Sequence, residues 1–164
     1  MASRWGAVRT DSRAPRPSSS FEHLNLVLGL GTALREQAHS RGTGSVSIAS
    51  TDVRLSSDMV VQSDVLYISP DWADHIEEQE INGALDLVVE VVSPSTSHLD
   101  AFDKKQLHEA QGVCKYWIMD PETETVPVYR NSDDGFRQHA RAVEQGQAAS
   151  ALRESFAVDL QTLF

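Results

Sequence analysis

Seven residues constrain the fold more than any others: Asp86 to Val92 read DLVVEVV. A near-continuous apolar run rich in valine fits a β-strand covered on both faces. Such a strand lies inside a layered sheet, with helices above and below it. One residue breaks the run. Glu90 stands among valines, where an unpaired carboxylate is costly or takes up a proton. Something cationic must meet it, either an Arg or Lys across the sheet or a metal ion.

The neighbouring segments fit that frame. A helix is expected from Ser19, with Glu22 three residues on as in a capping box. Val27, Leu30, Leu34 and Ala38 then recur at helical spacing, although Gly29 and Gly31 weaken the pattern. It should end near Ser40, before the glycines at 42 and 44. Ser45 to Ser50 alternates as a strand, and Asp52 to Leu55 continues it after a kink. Val60 to Ile68 is a second strand, interrupted by Gln62, Ser63 and Asp64. Residues 70–83 read as a loop or short helix. A helix follows from Leu99 to Gln111, stopped by Gly112. Lys115 to Met119 is another buried strand, and Val126 to Arg130 with Phe136 to Val143 forms an outer hairpin. Residues 151–164 read as a short terminal helix or edge segment, with Phe156, Leu160 and Phe164 inward. The order predicts an α/β (α+β) fold with a mixed sheet.

The 164 residues suffice for one domain at 19–164, preceded by a disordered basic tail at 1–18. The net charge of −10 argues against a surface that grips nucleic acid everywhere, and predicts weak binding to non-specific DNA. No apolar run reaches the ~18 residues of a membrane span. Cys114 is the one cysteine, which leaves no intrachain disulfide and makes a reducing cytoplasm the expected location. Its apolar neighbours suggest a core position. The six histidines show no metal-ligand spacing and read as surface or satisfied core residues.

Asp64 also lies inside an apolar, strand-like run. Two such acids on neighbouring strands can converge on one hard divalent ion, since Mg²⁺ takes one or two carboxylates plus water and substrate phosphate. Asp86 shares a strand face with Glu90 but lies about 13 Å away if extended, so it would line the approach. On the following helix Asp100, Lys104 and His108 fall at i, i+4 and i+8, a polar stripe. Leu99, Phe102, Leu107 and Ala110 are then left to face the sheet. By itself the stripe also fits a solvated face with an Asp100–Lys104 pair.

Together these pieces resemble a known family. The segment GALDLVVEVVSPST at 83–96 is similar to the signature of the Uma-type proteins. Asp100, Lys104, Gly112, Val113 and YWIMDP at 116–121 follow in matching order and spacing. The resemblance runs from about Phe21 to Phe164. It implies a fold like that of restriction endonucleases of the PD-(D/E)XK superfamily, a mixed central sheet flanked by helices. It also implies a Mg²⁺-dependent (or Mn²⁺-dependent) phosphodiesterase site acting on DNA. Asp64 would be the first acid and Glu90 the second. The metal would rest on Asp64, Glu90 and the Val91 carbonyl, with Asp86 and Asp100 in support. The lysine usual two residues after the second acid is Val92 here, so Lys104 would supply the amine from the next helix. Ser63 and Leu85 stand where the family carries prolines, His108 where tyrosine is common. The N-terminal hairpin with its own glutamate is not recognisable, and Glu22 is a poor substitute.

Three functions compete on this sequence. The first is a metal-dependent endonuclease, by analogy a homodimer. The second is a nuclease fold that has stopped cutting and serves as a binding or assembly module. The third is a purely structural Glu90–Lys104 ion pair.

Overall fold

The computed structural model describes residues 20–57, 59–77, 80–92, 98–143, 147–151 and 155–163. Side chains are described at these positions except 49, 50, 98–101, 142, 143, 147–151, 155, 156 and 162. The basic segment at 1–18, residues 93–97, and the side chains of Leu99, Asp100, Phe156 and Phe164 therefore lie outside the described set.

Helix α1 spans Phe21–Arg41. Its N-cap is Ser20, not Ser19: the Ser20 hydroxyl accepts from the His23 N–H at 3.1 Å. Gly42, at φ 64°, closes the other end in the left-handed conformation. The buried stripe runs through Leu26, Val27, Leu30, Leu34 and Ala38. Gly31 has a packing reason. A Cβ there would stand 2.5 Å from the Ile48 side chain, so the helix-weakening glycine is what lets α1 press onto the sheet.

The strands are β1 (Ser45–Ser56), β2 (Met59–Ile68), β3 (Glu80–Asn82), β4 (Leu87–Val91), β5 (Lys115–Met119), β6 (Thr125–Arg130) and β7 (Arg137–Val143). They form one mixed sheet in the order β3-β1-β2-β4-β5-β6-β7. β4 and β5 are parallel, with all five residues of each in register. A parallel pair needs a crossover, and helix α2 (His98–Ala110) supplies it. Every residue of β4 and β5 is buried, as a doubly covered strand requires. The outer hairpin is β6–β7. Strand β3, parallel to β1, and the hairpin of β8 (Gln147–Ala151) with β9 (Ser155–Asp159) are additions to the expected elements. The terminal segment is thus a strand followed by one short 3-10 turn at Leu160–Thr162.

Two cores lie on opposite faces of the sheet. Val89, Val91, Trp117 and Met119 face α1. Val88, Val92, Tyr116 and Ile118 face the other way, with Leu107 of α2 packed against them. Val158 and Leu160 complete the α1 side, where Gln37 holds Ala157 through both its carbonyl (2.9 Å) and its N–H (3.2 Å). Cys114 is exposed, which corrects its expected place in the core. Its two neighbours in sequence are buried, Val113 at 0% and Lys115 at 3% exposure, but its own side chain points outward. Among the described residues no helix is long and apolar enough to cross a membrane.

Candidate active site

β2 and β4 part company at the two acids. Their antiparallel register ends at Val65↔Val89. Continued in register, Asp64 would pair Glu90 and Ser63 would pair Val91. Instead the Val91 N–H donates to Asp64 Oδ2 at 2.8 Å, so a side chain takes over a main-chain bond and the strands open. β1 is irregular at the same level: Ile48 pairs Val65 but Thr51 pairs Ser63, leaving two β1 residues opposite Asp64. Such bulges bend a ribbon and re-aim its side chains. Val65 belongs to the α1-side core and Val61 to the α2-side core, so the ribbon changes layers at Asp64.

Glu90 reaches the α2 side. Its Oε2 accepts from Lys104 Nζ at 2.8 Å, and Lys104 also reaches the Gln62 carbonyl at 3.4 Å. The Glu90 side chain is 6% exposed and that of Lys104 28%. Burial pushes the Glu90 carboxyl up to about 7, and the nearby Asp64 charge adds to the rise. Lys104 and the Ser63 hydroxyl pull the other way without restoring the ordinary value.

Asp64, Glu90 and Lys104 are thus brought together, with the Val91 amide on Asp64. Asp86 is not with them. Its Oδ2 accepts from the Ser69 N–H at 2.7 Å, at the opposite end of β4, where it fastens the exit of β2. Asp100 lies in the first turn of α2. Of the polar stripe of α2, Lys104 and His108 face inward, which sets aside the alternative of a solvated face there. His108 is 0% exposed, whereas Phe102 is 47% exposed. Lys104 is drawn in by Glu90. His108 Nε2 lies 3.4 Å from the Ser63 hydroxyl, and its ring stacks at 5.4 Å from Tyr116. Burial pushes His108 down to about 3, helped by the Lys104 charge, so it is neutral at any ordinary pH.

One further residue belongs to the site and carried no sequence signal. His23, in the first turn of α1, is 8% exposed with Nε2 3.3 Å from Asp64 Oδ1. That hydrogen bond raises its pKa above the usual imidazole value, against burial. Only the packing of α1 on the sheet brings residues 23 and 64 together. Glu22, next to it, is exposed.

The donor set suits a hard divalent cation. Glu90 Oε1 is buried without a hydrogen-bond partner, and such an oxygen is costly to leave unsatisfied. Asp64 offers a carboxylate 24% exposed. Among the described residues no group of three or more His, Cys, Asp or Glu side chains forms a metal cage. Mg²⁺ can take as few as two carboxylates, with water and phosphate completing its shell.

The pKa shifts fix a pH dependence for the metal-free protein. The folded chain keeps a proton on Glu90 up to about pH 7, whereas the unfolded chain loses it near 4.5. The contribution of Glu90 to stability is therefore fully present below 4.5, falls as pH rises towards 7, and is lost above it, by a few kcal/mol in order of magnitude. His23, also raised, adds a loss of the same sign above its ordinary 6.5. Urea unfolding in chelator should show a higher midpoint at pH 5 than at pH 8. Glu90→Gln should flatten the slope between 4.5 and 6.5, and an unchanged slope would refute the assignment to Glu90.

The overall geometry recurs in known proteins. A crystal structure of a putative nuclease belonging to DUF820 from Anabaena variabilis is similar with a TM-score of 0.70 and 18% identity, over 92% of this chain and 83% of that one. The type IIG restriction endonuclease BpuSI aligns with a TM-score of 0.45 and 12% identity, over 79% of this chain and 15% of its own. No curated protein matches. The first likeness establishes a restriction-endonuclease-like nuclease fold. A family model described as "Putative restriction endonuclease" matches residues 13–162, and on that match the chain belongs to the Uma2 family.

Proposed function

We propose that this protein is a divalent-metal-dependent endonuclease that hydrolyses phosphodiester bonds in DNA, with a site of the PD-(D/E)XK kind. The observation that carries the reading is the convergence of Asp64, Glu90 and Lys104 where β2 and β4 separate. Asp64 and Glu90 would hold Mg²⁺ or Mn²⁺, with the Val91 carbonyl as a further oxygen. The chemistry such an ion supplies when bound is polarisation of the scissile phosphate and acidification of water.

The chain's own residues do the rest. Lys104, held 2.8 Å from Glu90, places a positive charge where negative charge grows on the phosphate. His23 and the Val91 N–H grip the two oxygens of Asp64 and set its orientation, as partners of ligating carboxylates do. Neutral His108 and Ser63 close the wall behind Glu90 and keep its environment dry.

Incubation with single-stranded and duplex DNA in Mg²⁺ or Mn²⁺ tests the reading. Cleavage that chelator abolishes is expected, and its absence with both metals would remove the enzyme. His23→Ala should lower the rate about 10- to 100-fold, the usual cost of losing a partner of a ligating group. His23→Gln, which can still donate to Asp64, should recover part of it.

A second reading, a nuclease fold that binds without cutting, draws on the missing third acid among the described residues. It predicts DNA binding that Glu90→Ala leaves intact and no cleavage by the parent chain.

A further inference from the structure

Beside the acids lies a recess of about 250 Å³. Ile118 lines it and is the β5 partner of Glu90, on a strand about 4.8 Å away. Phe102, also in the lining, comes from α2, on a different face of that helix from Lys104. Ile118 thus sets the recess one strand away from Glu90.

Its walls are aromatic and polar in a particular arrangement. Along β6, Val126 and Val128 face the α1-side core, which turns Pro127 and Tyr129 into the recess. Across from them β7 carries a bulge. Val128 pairs Ala140 and Tyr129 pairs Gln138, so His139 is an extra residue. Gln138 and Arg141 are three apart, and regular alternation would place them on opposite faces. The bulge brings both into the lining.

Phe102 is 47% exposed, a large apolar ring held at the edge of the recess. Asp120 also borders it, but its oxygens already accept from the Glu122 N–H (3.0 Å) and the Thr123 hydroxyl (2.8 Å). Lys105 Nζ stands 4.6 Å from the centre of the Tyr129 ring, adding positive charge nearby.

We propose that this recess receives an unpaired nucleotide base adjoining the scissile phosphate, so that the preferred substrate is single-stranded or locally opened DNA. The proposal rests on the nuclease reading for the phosphate beside Glu90 and Lys104. Aromatic rings and guanidinium groups stack on bases of any identity, and a glutamine amide can bond a base edge. A base inside a duplex reaches such a recess only by leaving its stack. The net charge of −10 disfavours an extended electrostatic grip on duplex phosphates, whereas stacking depends little on net charge.

Fluorescence anisotropy of the full chain in chelator, with a short labelled single strand and the duplex of the same sequence, tests the proposal. The single strand should bind about tenfold more tightly than the duplex. Phe102→Ala should weaken single-strand binding by about tenfold, the size of one lost base–aromatic stack, and leave duplex binding unchanged. Phe102→Trp should restore it, and Arg141→Ala should weaken it in the same direction. Equal affinity for the two probes, or a Phe102→Ala chain that binds the single strand normally, overturns the proposal. Phe102-dependent binding without cleavage in any metal supports the recess and removes the nuclease reading. Cleavage with no dependence on Phe102 does the reverse.

Discussion

Glu90→Gln should abolish metal-dependent cleavage, by at least about a thousandfold, in a chain that still folds. The substitution keeps the shape of the side chain, and its amide oxygen can still accept from Lys104 Nζ, now 2.8 Å from Glu90 Oε2. What disappears is the negative charge and the unpartnered oxygen Oε1. A site with two carboxylates cannot hold a divalent ion well on one. Losing a stabilisation of roughly 4 kcal/mol slows the reaction about a thousandfold. The fold should not suffer, because Glu90 is already expensive as an anion: burial has pushed it up to about 7. Cleavage rates and Mn²⁺ calorimetry on the same preparation check both halves. A variant that cuts within tenfold of the parent would displace Glu90 from the centre of the site.

Lys104→Ala should cost about 100- to 1,000-fold in cleavage rate, the scale of removing one charge-stabilising donor, yet leave Mn²⁺ binding intact or tighter. Lys104 competes with any metal for Glu90, so its loss frees an oxygen. A purely structural ion pair predicts something else. Removing one partner of a buried pair can cost about 3–5 kcal/mol. Here the loss should be smaller, on the order of 1–2 kcal/mol, because the remaining carboxyl can take up a proton instead of staying charged. Lys104 is also partly exposed, which screens the attraction. Melting curves, calorimetry and rates together separate the two roles. If Lys104→Ala cuts at the parental rate and loses only stability, the lysine is a structural counter-ion.

Part of this site is legible along the chain. Glu90 announces itself because its neighbours Val88, Val89, Val91 and Val92 are all apolar, and the structure buries every one of them. Asp64 is visible for the same reason, more faintly. Lys104 is not legible from spacing, which suits a solvated pair equally well; only the family resemblance singles it out. His23 is silent, because a histidine one turn into an amphipathic helix looks like any other. Asp86 misleads. It lies just before β4 and is taken up by the Ser69 N–H, and alternation along the sequence does not decide which end of the strand holds the site.

Periodicity along the sequence determined the buried strands Leu87–Val91 and Lys115–Met119, the α1 helix with its apolar stripe, and the costly carboxylate at Glu90. It does so because burial on one or both faces of an element leaves a local pattern of side chains. Tertiary structure alone decided the rest. The end of the β2–β4 ladder at Val65↔Val89 opens the strands beside Asp64. The rotation of α2 turns Lys104 and His108 inward and Phe102 outward. Strand β8, with alanine, serine and glutamine as its only residues, is held by its pairing with β9. These features depend on register, bulges and the docking of segments tens of residues apart. Such contacts leave no period in the chain, so they exist only once the sheet has closed around its two cores.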